Sequence, residues 1–280
     1  MMKTLQSQAD IRDFFHRNQA PLSYVSTTAF NLLGADEWVN NLTFINTIDS
    51  FEGQHPNVFV PAGALAHGLQ GIEVANNYLL HHPAVADHLR RSGSGGVLFL
   101  MFDAHAESLA RKLGLTVAFP PARLRRHLDS KVTTTHLANR AGIPSVPNVL
   151  ARVDSYATLR RVAHALGPDL VVQLPYGDSG TTTFFISGEA DFHSCAGQIA
   201  GQTAVKIMKR IRCRQATIEA CVSRYGTLVG PLMTEMVGFA ELTPFLGGWC
   251  GNEVFGAGGS AAFSPDIRRQ AQRATLALGE

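Results

Sequence analysis

The sequence lacks any long apolar run, and this argues against a helical membrane protein. No stretch of the 280 residues reaches the ~18 consecutive apolar residues that a membrane-spanning helix needs. The N-terminal segment, MMKTLQSQADIRDFF, also lacks the apolar core of a secretory signal peptide. We therefore expect a cytoplasmic protein with no membrane partner.

An excess of one charge and the common cysteine and histidine motifs are also missing. The formal net charge is only +2, and nucleic-acid binding needs clustered lysines and arginines. The one basic cluster, Arg123, Arg125 and Arg126, is predicted to be a solvated helix face. The four cysteines show no CxxC spacing and the eleven histidines no HExxH spacing. We therefore expect free thiols, no metal site built from these residues and no nucleic-acid partner.

The composition is that of a globular protein long enough for two domains. Hydrophobic residues make up 45% of the chain and charged residues 16%. Strand-like and helix-like patterns alternate over residues 1–120, most clearly where GGVLFLMFD is followed by AHAESLARKLGL. This order predicts a parallel strand feeding a crossover helix, as in a doubly wound sheet. Asp103, at the end of the strand, is predicted to cap that helix; the alternative is a ligand contact, because such sheets bind ligands at this end of their strands.

The most informative segment is DLVVQLPYGDSGTTTFFI, which runs from Asp169 to Ile186. It predicts a buried strand, a loop rich in small residues and a second strand. Bare backbone N–H groups and small hydroxyls suit a bound phosphate. A plain hairpin turn with no ligand is the alternative. The loop residues that we assign to phosphate binding are Gly177, Asp178, Ser179, Gly180, Thr181 and Thr182.

The second half of the chain continues with helices and an antiparallel hairpin. Pro120-Pro121 marks a boundary, and LDSKVTTTHLANRAG is predicted to be one helix that ends at Gly142. AVKIMKRI is predicted to be a strand, and residues 216–238 a long hairpin that turns at Tyr225-Gly226. The stretch LTPFLGGWCGNE, Leu242 to Glu253, is either a substrate-facing loop or a surface Ω-loop. A last helix is predicted from Pro265 to Leu278.

Three strings occur in a family-specific order: DSKVTTTHLANRAGIPSVPNVL, then VVQLPYGDSGTTTFFI, then KIMKRIRCRQATIEACVSRYGTLVG. In this order the chain resembles the ATP-grasp superfamily, and within it the biotin-carboxylase-like carboxylate–amine ligases, over residues 121–280. The resemblance implies an α/β fold that is α+β in its second part. Residues 1–120 would be a Rossmann-like pre-ATP-grasp domain, residues 121–211 an ATP-grasp N-terminal subdomain, and residues 212–280 a partial C-terminal subdomain.

The resemblance also implies roles for individual residues. Lys131 would reach the α- and β-phosphates of ATP, where an ammonium neutralises charge; an ordinary solvated lysine is the alternative. The Gly/Thr loop would be a lid over the β- and γ-phosphates. Met208 to Ile211, which includes Lys209 and Arg210, would be a hinge whose backbone binds adenine, with apolar neighbours such as Ile207 packed against the ring.

The chain departs from the family pattern at the phosphate and ribose contacts. Gln173 stands where many members carry a lysine, and Lys206 is a candidate to supply the missing charge. Lys209 and Arg210 stand where an acidic residue usually holds the ribose, so Gln215 or Glu219 is a candidate replacement.

The family's Mg²⁺ ligands follow the helix that corresponds to residues 265–280, and no such motif occurs in this sequence. Mg²⁺ is therefore expected for the complete fold only. We expect the chain to be truncated, inactive alone at this length, and homodimeric through the strand edge that it exposes.

These observations predict the ATP-binding part of a ligase. The complete protein would activate a small-molecule carboxylate as an acylphosphate, which an amine or another nucleophile then attacks. One alternative is a biotin carboxylase proper, although the lid lacks that enzyme's run of consecutive glycines. The other is a nucleotide-binding module without catalysis.

Overall fold

The chain folds as two compact units, Met1–Arg126 and His127–Glu280. The computed structural model describes residues 7–49, 53–64, 69, 71–93, 95–254 and 262–280. Within these residues, no helix combines the length and the apolar character that a membrane span requires. The predicted mixed α/β class is confirmed, with one parallel sheet and two antiparallel sheets.

The first unit is built on a five-stranded parallel sheet in the order β3-β2-β1-β4-β5. Its strands are β1 Leu22–Ser26, β2 Leu42–Asn46, β3 Val58–Phe59, β4 Gly96–Phe99 and β5 Thr116–Val117. Its helices are α1 Gln8–His16, α2 Ile72–His81, α3 Pro83–Ser92, α4 Ala104–Lys112 and α5 Ala122–Asp129, whose last residues belong to the second unit. Apolar side chains from α2, α3 and α4 pack on the sheet and form the main core of this unit.

The side chains of Asp103 and Arg125 form hydrogen bonds with the backbone near the junction between β4 and α4. Asp103 is the N-cap of α4 and accepts a hydrogen bond from the amide of Ala106 at 2.8 Å, which confirms its predicted role. The prediction that Arg125 lies on a solvated face is wrong. Its guanidinium donates to the carbonyl of Phe102 at 2.7 Å and lies 3.4 Å from Glu73. The sequence pattern could not show this because both partners are distant in the chain.

The second unit contains two antiparallel sheets. The first has four strands in the order β6-β9-β7-β8, and the second has three in the order β10-β11-β12. The strands are β6 Asn148–Ala151, β7 Leu170–Gln173, β8 Thr183–Ile186, β9 Val205–Lys209, β10 Ala216–Ser223, β11 Gly226–Val237 and β12 Trp249–Glu253. The helices are α6 Lys131–Arg140, α7 Tyr156–Val162, α8 Glu189–Ala200 and α9 Pro265–Gly279.

The four-stranded sheet has one core face and one open face. Val205 and Ile207 of β9 are fully buried and belong to a core formed with α7 and α8. Because successive strand residues point to opposite faces, Lys206 and Met208 lie on the other face. This open face carries a row of polar side chains formed by Lys206, Gln173 and Thr183.

Three details differ from the predicted elements. The segment LDSKVTTTHLANRAG is not one helix, because Ser130 interrupts it and caps α6 by accepting from the amide of Thr133 at 3.3 Å. Helix α8 was not predicted. The prediction that Leu242–Glu253 is wholly a loop is wrong, because Trp249–Glu253 pairs with β11 as β12. Part of the glycine-rich stretch that follows, residues 255–261, lies outside the described residues.

Candidate functional site

The segment that joins β7 to β8, residues 174–182, forms a tight loop that we call the lid loop. Its ends are pinned by a hydrogen bond from the amide of Leu174 to the carbonyl of Thr182 at 3.1 Å. At its tip, the amide and the hydroxyl of Thr181 both donate to the carbonyl of Asp178, at 2.9 and 2.7 Å. Ser179 and Gly180 have left-handed backbone angles, with φ of 47° and 79°. These bonds leave the amides of residues 177–180 available to an anion.

The lid loop packs closely against a second loop, residues 239–248, which joins β11 to β12. A Cβ atom on Gly180 would lie 2.4 Å from the carbonyl oxygen of Gly247 and 2.7 Å from the nitrogen of Gly248. The second loop is itself ordered by hydrogen bonds, including one of 2.8 Å from the amide of Gly248 to the carbonyl of Phe245. Only a glycine at position 180 permits this approach, so the two loops hold one another in place.

Lys131 connects helix α6 to the lid loop. As the first residue of α6, it donates its backbone amide to the carbonyl of Pro175 at 2.8 Å. Its side-chain ammonium donates to the carbonyl of Gly177. The sequence prediction that Lys131 and the loop lie together is consistent with this geometry. The N-terminus of α6 adds the positive end of its dipole at the same place.

A polar row crosses the open face of the four-stranded sheet next to the lid loop. Lys206 of β9 pairs with Gln173 of β7, which pairs with Thr183 of β8. The Gln173 amide nitrogen donates to the Thr183 hydroxyl at 3.2 Å. Burial lowers the pKa of Lys206, and the positive charge of Lys131 lowers it further. Within the described part of the chain, neither ammonium forms an ion pair with a carboxylate.

The predicted hinge residues lie at the end of β9 and just beyond it. The expectation that Ile207 packs against adenine is wrong, because its side chain is fully buried in the core of the unit. Its neighbour Met208 faces the open side of the sheet instead. The amides of Lys209 and Arg210 already donate to the carbonyls of Pro147 and Asp169, at 3.1 and 3.0 Å.

The side chains of the hinge residues differ in their surroundings. The Arg210 guanidinium lies 5.0 Å from the centre of the Phe185 ring. Lys209 is exposed, and Ile211 is 47% exposed. A hinge contact with adenine therefore stays a prediction, and the structure does not bring these side chains to the lid loop as a group.

Glu235 is a candidate site residue that was not predicted from the sequence. It lies on β11 opposite Asn252 of β12, and its amide donates to the carbonyl of Gln215 at 3.1 Å. Burial raises the pKa of its carboxyl. The available signal was the single acidic residue within the apolar segment PLMTEMVG. Gln215 and Glu219, which the sequence suggested for ribose, are both exposed.

Comparisons with known proteins identify the fold. No family model and no curated protein matches this chain. The biotin carboxylase domain of 2-oxoglutarate carboxylase from Hydrogenobacter thermophilus is 14% identical and matches 93% of this chain and 58% of its own, with a TM-score of 0.61. An N5-carboxyaminoimidazole ribonucleotide synthetase is 12% identical and matches 92% of this chain and 62% of its own, with a TM-score of 0.60. The chain has the ATP-grasp fold.

A D-alanyl-alanine synthetase from Vibrio cholerae shares the fold more distantly. It is 10% identical and matches 65% of this chain and 57% of its own, with a TM-score of 0.50. The chain thus spans between 57% and 62% of the length of these three ATP-grasp structures. At these identities the similarity establishes the fold alone.

The ATP-grasp fold implies a magnesium ion. Mg²⁺ prefers several oxygen ligands in near-octahedral geometry. In the described ranges, no three histidine, cysteine or acidic side chains come together. The described residues therefore do not form a complete Mg²⁺ site.

Proposed function

We propose that the second unit binds ATP and that the protein is an ATP-dependent carboxylate–amine ligase. One observation carries this proposal: a loop with available amides is hydrogen-bonded to the ammonium of Lys131 in an ATP-grasp fold. The structures of similar fold with bound ADP support the choice of nucleotide. An ordinary hairpin turn would need neither the lysine nor the closely packed second loop.

The phosphate tail would take the place of the Gly177 carbonyl at Lys131. The ammonium would then exchange a neutral acceptor for an anionic one, which adds the attraction between opposite charges to its hydrogen bond. The amides of residues 177–180 would donate to further phosphate oxygens, and the N-terminus of α6 would favour the negative charge.

The proposed reaction joins a small-molecule carboxylate to an amine or another nucleophile. A carboxylate oxygen attacks the γ-phosphorus, the bond to ADP breaks, and an acylphosphate forms. The amine nitrogen then attacks the carbonyl carbon, the bond to phosphate breaks, and the amine loses a proton. The products are ADP, phosphate and an amide. The site's contribution is to orient the phosphates and to shield them from water under the lid loop.

Titration calorimetry with ATP, ADP and AMP, with and without Mg²⁺, tests the nucleotide site. We expect Lys131→Gln to weaken ATP binding by about 10- to 100-fold, because a hydrogen bond to a charged group contributes roughly 1.5–3 kcal/mol. Lys112→Gln is the matched control, since Lys112 is exposed at the end of α4 in the first unit. Wild-type protein that binds none of the three nucleotides would overturn the proposal.

Hydroxylamine trapping tests the ligase chemistry. An acylphosphate reacts with hydroxylamine to give a hydroxamate, so hydroxamate and ADP should accumulate together with one member of a carboxylate panel. ATP binding without either product would favour a nucleotide-binding module instead.

The hydrogen bond from Gln173 to Thr183 favours this second function, a nucleotide-binding module without catalysis, because it places a neutral, already paired amide in the polar row. Carboxylation of free biotin would identify a biotin carboxylase.

A further inference from the structure

Two ammonium groups, Lys206 on the open face of the four-stranded sheet and Lys131 at the start of α6, have no anionic partner among the described residues. Lys206 on β9 is close enough to Lys131 on α6 for the two charges to repel, and this repulsion adds to the effect of burial in lowering the pKa of Lys206. Across the described residues, no carboxylate lies within ion-pair distance of either group. The cross-strand neighbours of Lys206 are Leu150 and Gln173, which are uncharged.

This arrangement is unfavourable for the ligand-free protein. A partly buried charge loses hydration, and a like charge nearby raises the cost further. A β-branched residue would suit the same strand position better if only folding mattered. Positions where such costs persist are often binding or catalytic positions.

We propose that Lys206 is a phosphate-binding residue and that, with Gln173 and Lys131, it forms a site for a di- or triphosphate chain. The proposal deepens the ATP site and rests on it. Lys206 supplies the positive charge, while the second hydrogen of the Gln173 amide remains able to donate to a phosphate oxygen.

The spacing of the row favours an extended polyphosphate over a single phosphate ion. Lys206, Gln173 and Thr183 stand on three adjacent strands, about 4.8 Å apart from one strand to the next, so the row is about 10 Å long. It lies beside the loop whose Gly177 carbonyl accepts from Lys131. A polyphosphate along the row would meet a cation at Lys206 and a second cation at Lys131.

The experiment compares affinities for ATP, AMP and inorganic tripolyphosphate by titration calorimetry on the full chain. Lys206→Gln should weaken the binding of ATP and tripolyphosphate by about 10- to 100-fold and leave AMP nearly unchanged, since only the phosphate tail loses a charged contact. Lys206→Arg should retain most of the affinity. Lys112→Gln, far from the row in sequence and exposed, should change none of the three values.

A transposed variant separates loss of charge from loss of structure. Gln173→Lys combined with Lys206→Gln returns one ammonium to the same row, so ATP affinity should recover at least tenfold over Lys206→Gln alone. A double variant no tighter than Lys206→Gln overturns the inference, as does an equal loss for AMP and ATP. Unchanged ATP affinity in Lys206→Gln overturns it while leaving the ATP site intact. A wild-type chain that binds none of the probes overturns both.

Discussion

Replacing Gly180 with alanine is the sharpest test of how the lid loop is held. Gly180 has a left-handed backbone angle, φ 79°, and its added Cβ would lie 2.4 Å from the Gly247 oxygen. Gly142, which follows α6 in the same unit, has φ 68° and nothing within 4 Å of its Cβ position. The two substitutions therefore share the conformational cost, and only Gly180→Ala adds a steric clash.

The magnitudes follow from these two positions. An alanine in the left-handed region costs roughly 1–2 kcal/mol, partly offset by ~0.4–1 kcal/mol from the stiffer unfolded chain. Gly142→Ala should thus lower the free energy of unfolding by about 0–1.6 kcal/mol. At Gly180 an ordinary contact begins near 3.4 Å, so the neighbouring backbone must yield by 3.4 − 2.4 = 1.0 Å. If it cannot, overpacking adds about 1–3 kcal/mol.

Thermal denaturation and ATP titration together measure the effect. Each kcal/mol corresponds to a midpoint shift of about 2–4 °C for a unit of this size. We expect Gly180→Ala to lower the midpoint more than Gly142→Ala, or to weaken ATP binding by about tenfold or more if the lid loop moves instead. If the two variants match in both midpoint and ATP affinity, the contact between the two loops has no role in positioning the lid.

Three further predictions concern charge and assembly. Burial raises the pKa of Glu235, so the native state keeps its proton more tightly than the unfolded chain, and stability falls as pH rises from the ordinary value of 4.5 through the raised pKa. Glu235→Gln should therefore raise the thermal midpoint at about pH 7 but not below pH 4.5; equal midpoints at neutral pH would contradict this. The side chain of Lys206 faces Lys131 from α6, the uncharged Gln173 from β7 and Leu150 from β6, and its pKa is lowered from 10.5. ATP affinity should therefore fall as pH rises through that lowered pKa, whereas the Lys206→Arg protein should keep its affinity over the same range. A parallel decline in both proteins would exclude Lys206 as the cause. Strand β10 forms an edge of its sheet, and Val222 on it is 61% exposed, so we expect a homodimer that Val222→Lys disrupts; analytical ultracentrifugation showing a wild-type monomer would refute it.

Elements with strong local signals could be predicted from the sequence. Strand β8 occupies Thr183–Ile186 as predicted, because the loop before it is rich in small residues and the strand itself is apolar. Helix α8 carried a usable signal as well, since Phe192, Cys195 and Ile199 are spaced three and four residues apart and all are buried. Strand β12 had no such pattern, and its pairing with β11 defines it.

Only part of the candidate site could be predicted from the sequence, because the rest depends on contacts between residues that are distant in the chain. Lys131 and the lid loop could be named from their order in the chain. The proximity of Lys206 to Lys131 depends on how α6 meets the sheet, and the burial of Glu235 depends on its neighbours in a second sheet. Contacts between residues distant in sequence leave no local pattern, so Arg125 was assigned to the wrong environment.

Strand β9 places core residues and residues of the proposed phosphate site alternately along one five-residue segment. Val205 and Ile207 seal the interior, while Lys206 and Met208 face the open side. A one-residue shift in the pairing register of the whole strand would exchange the two sets, burying an ammonium and exposing two aliphatic side chains at once. The core therefore constrains the register of this strand, and only the open-face positions can be substituted without disturbing the core.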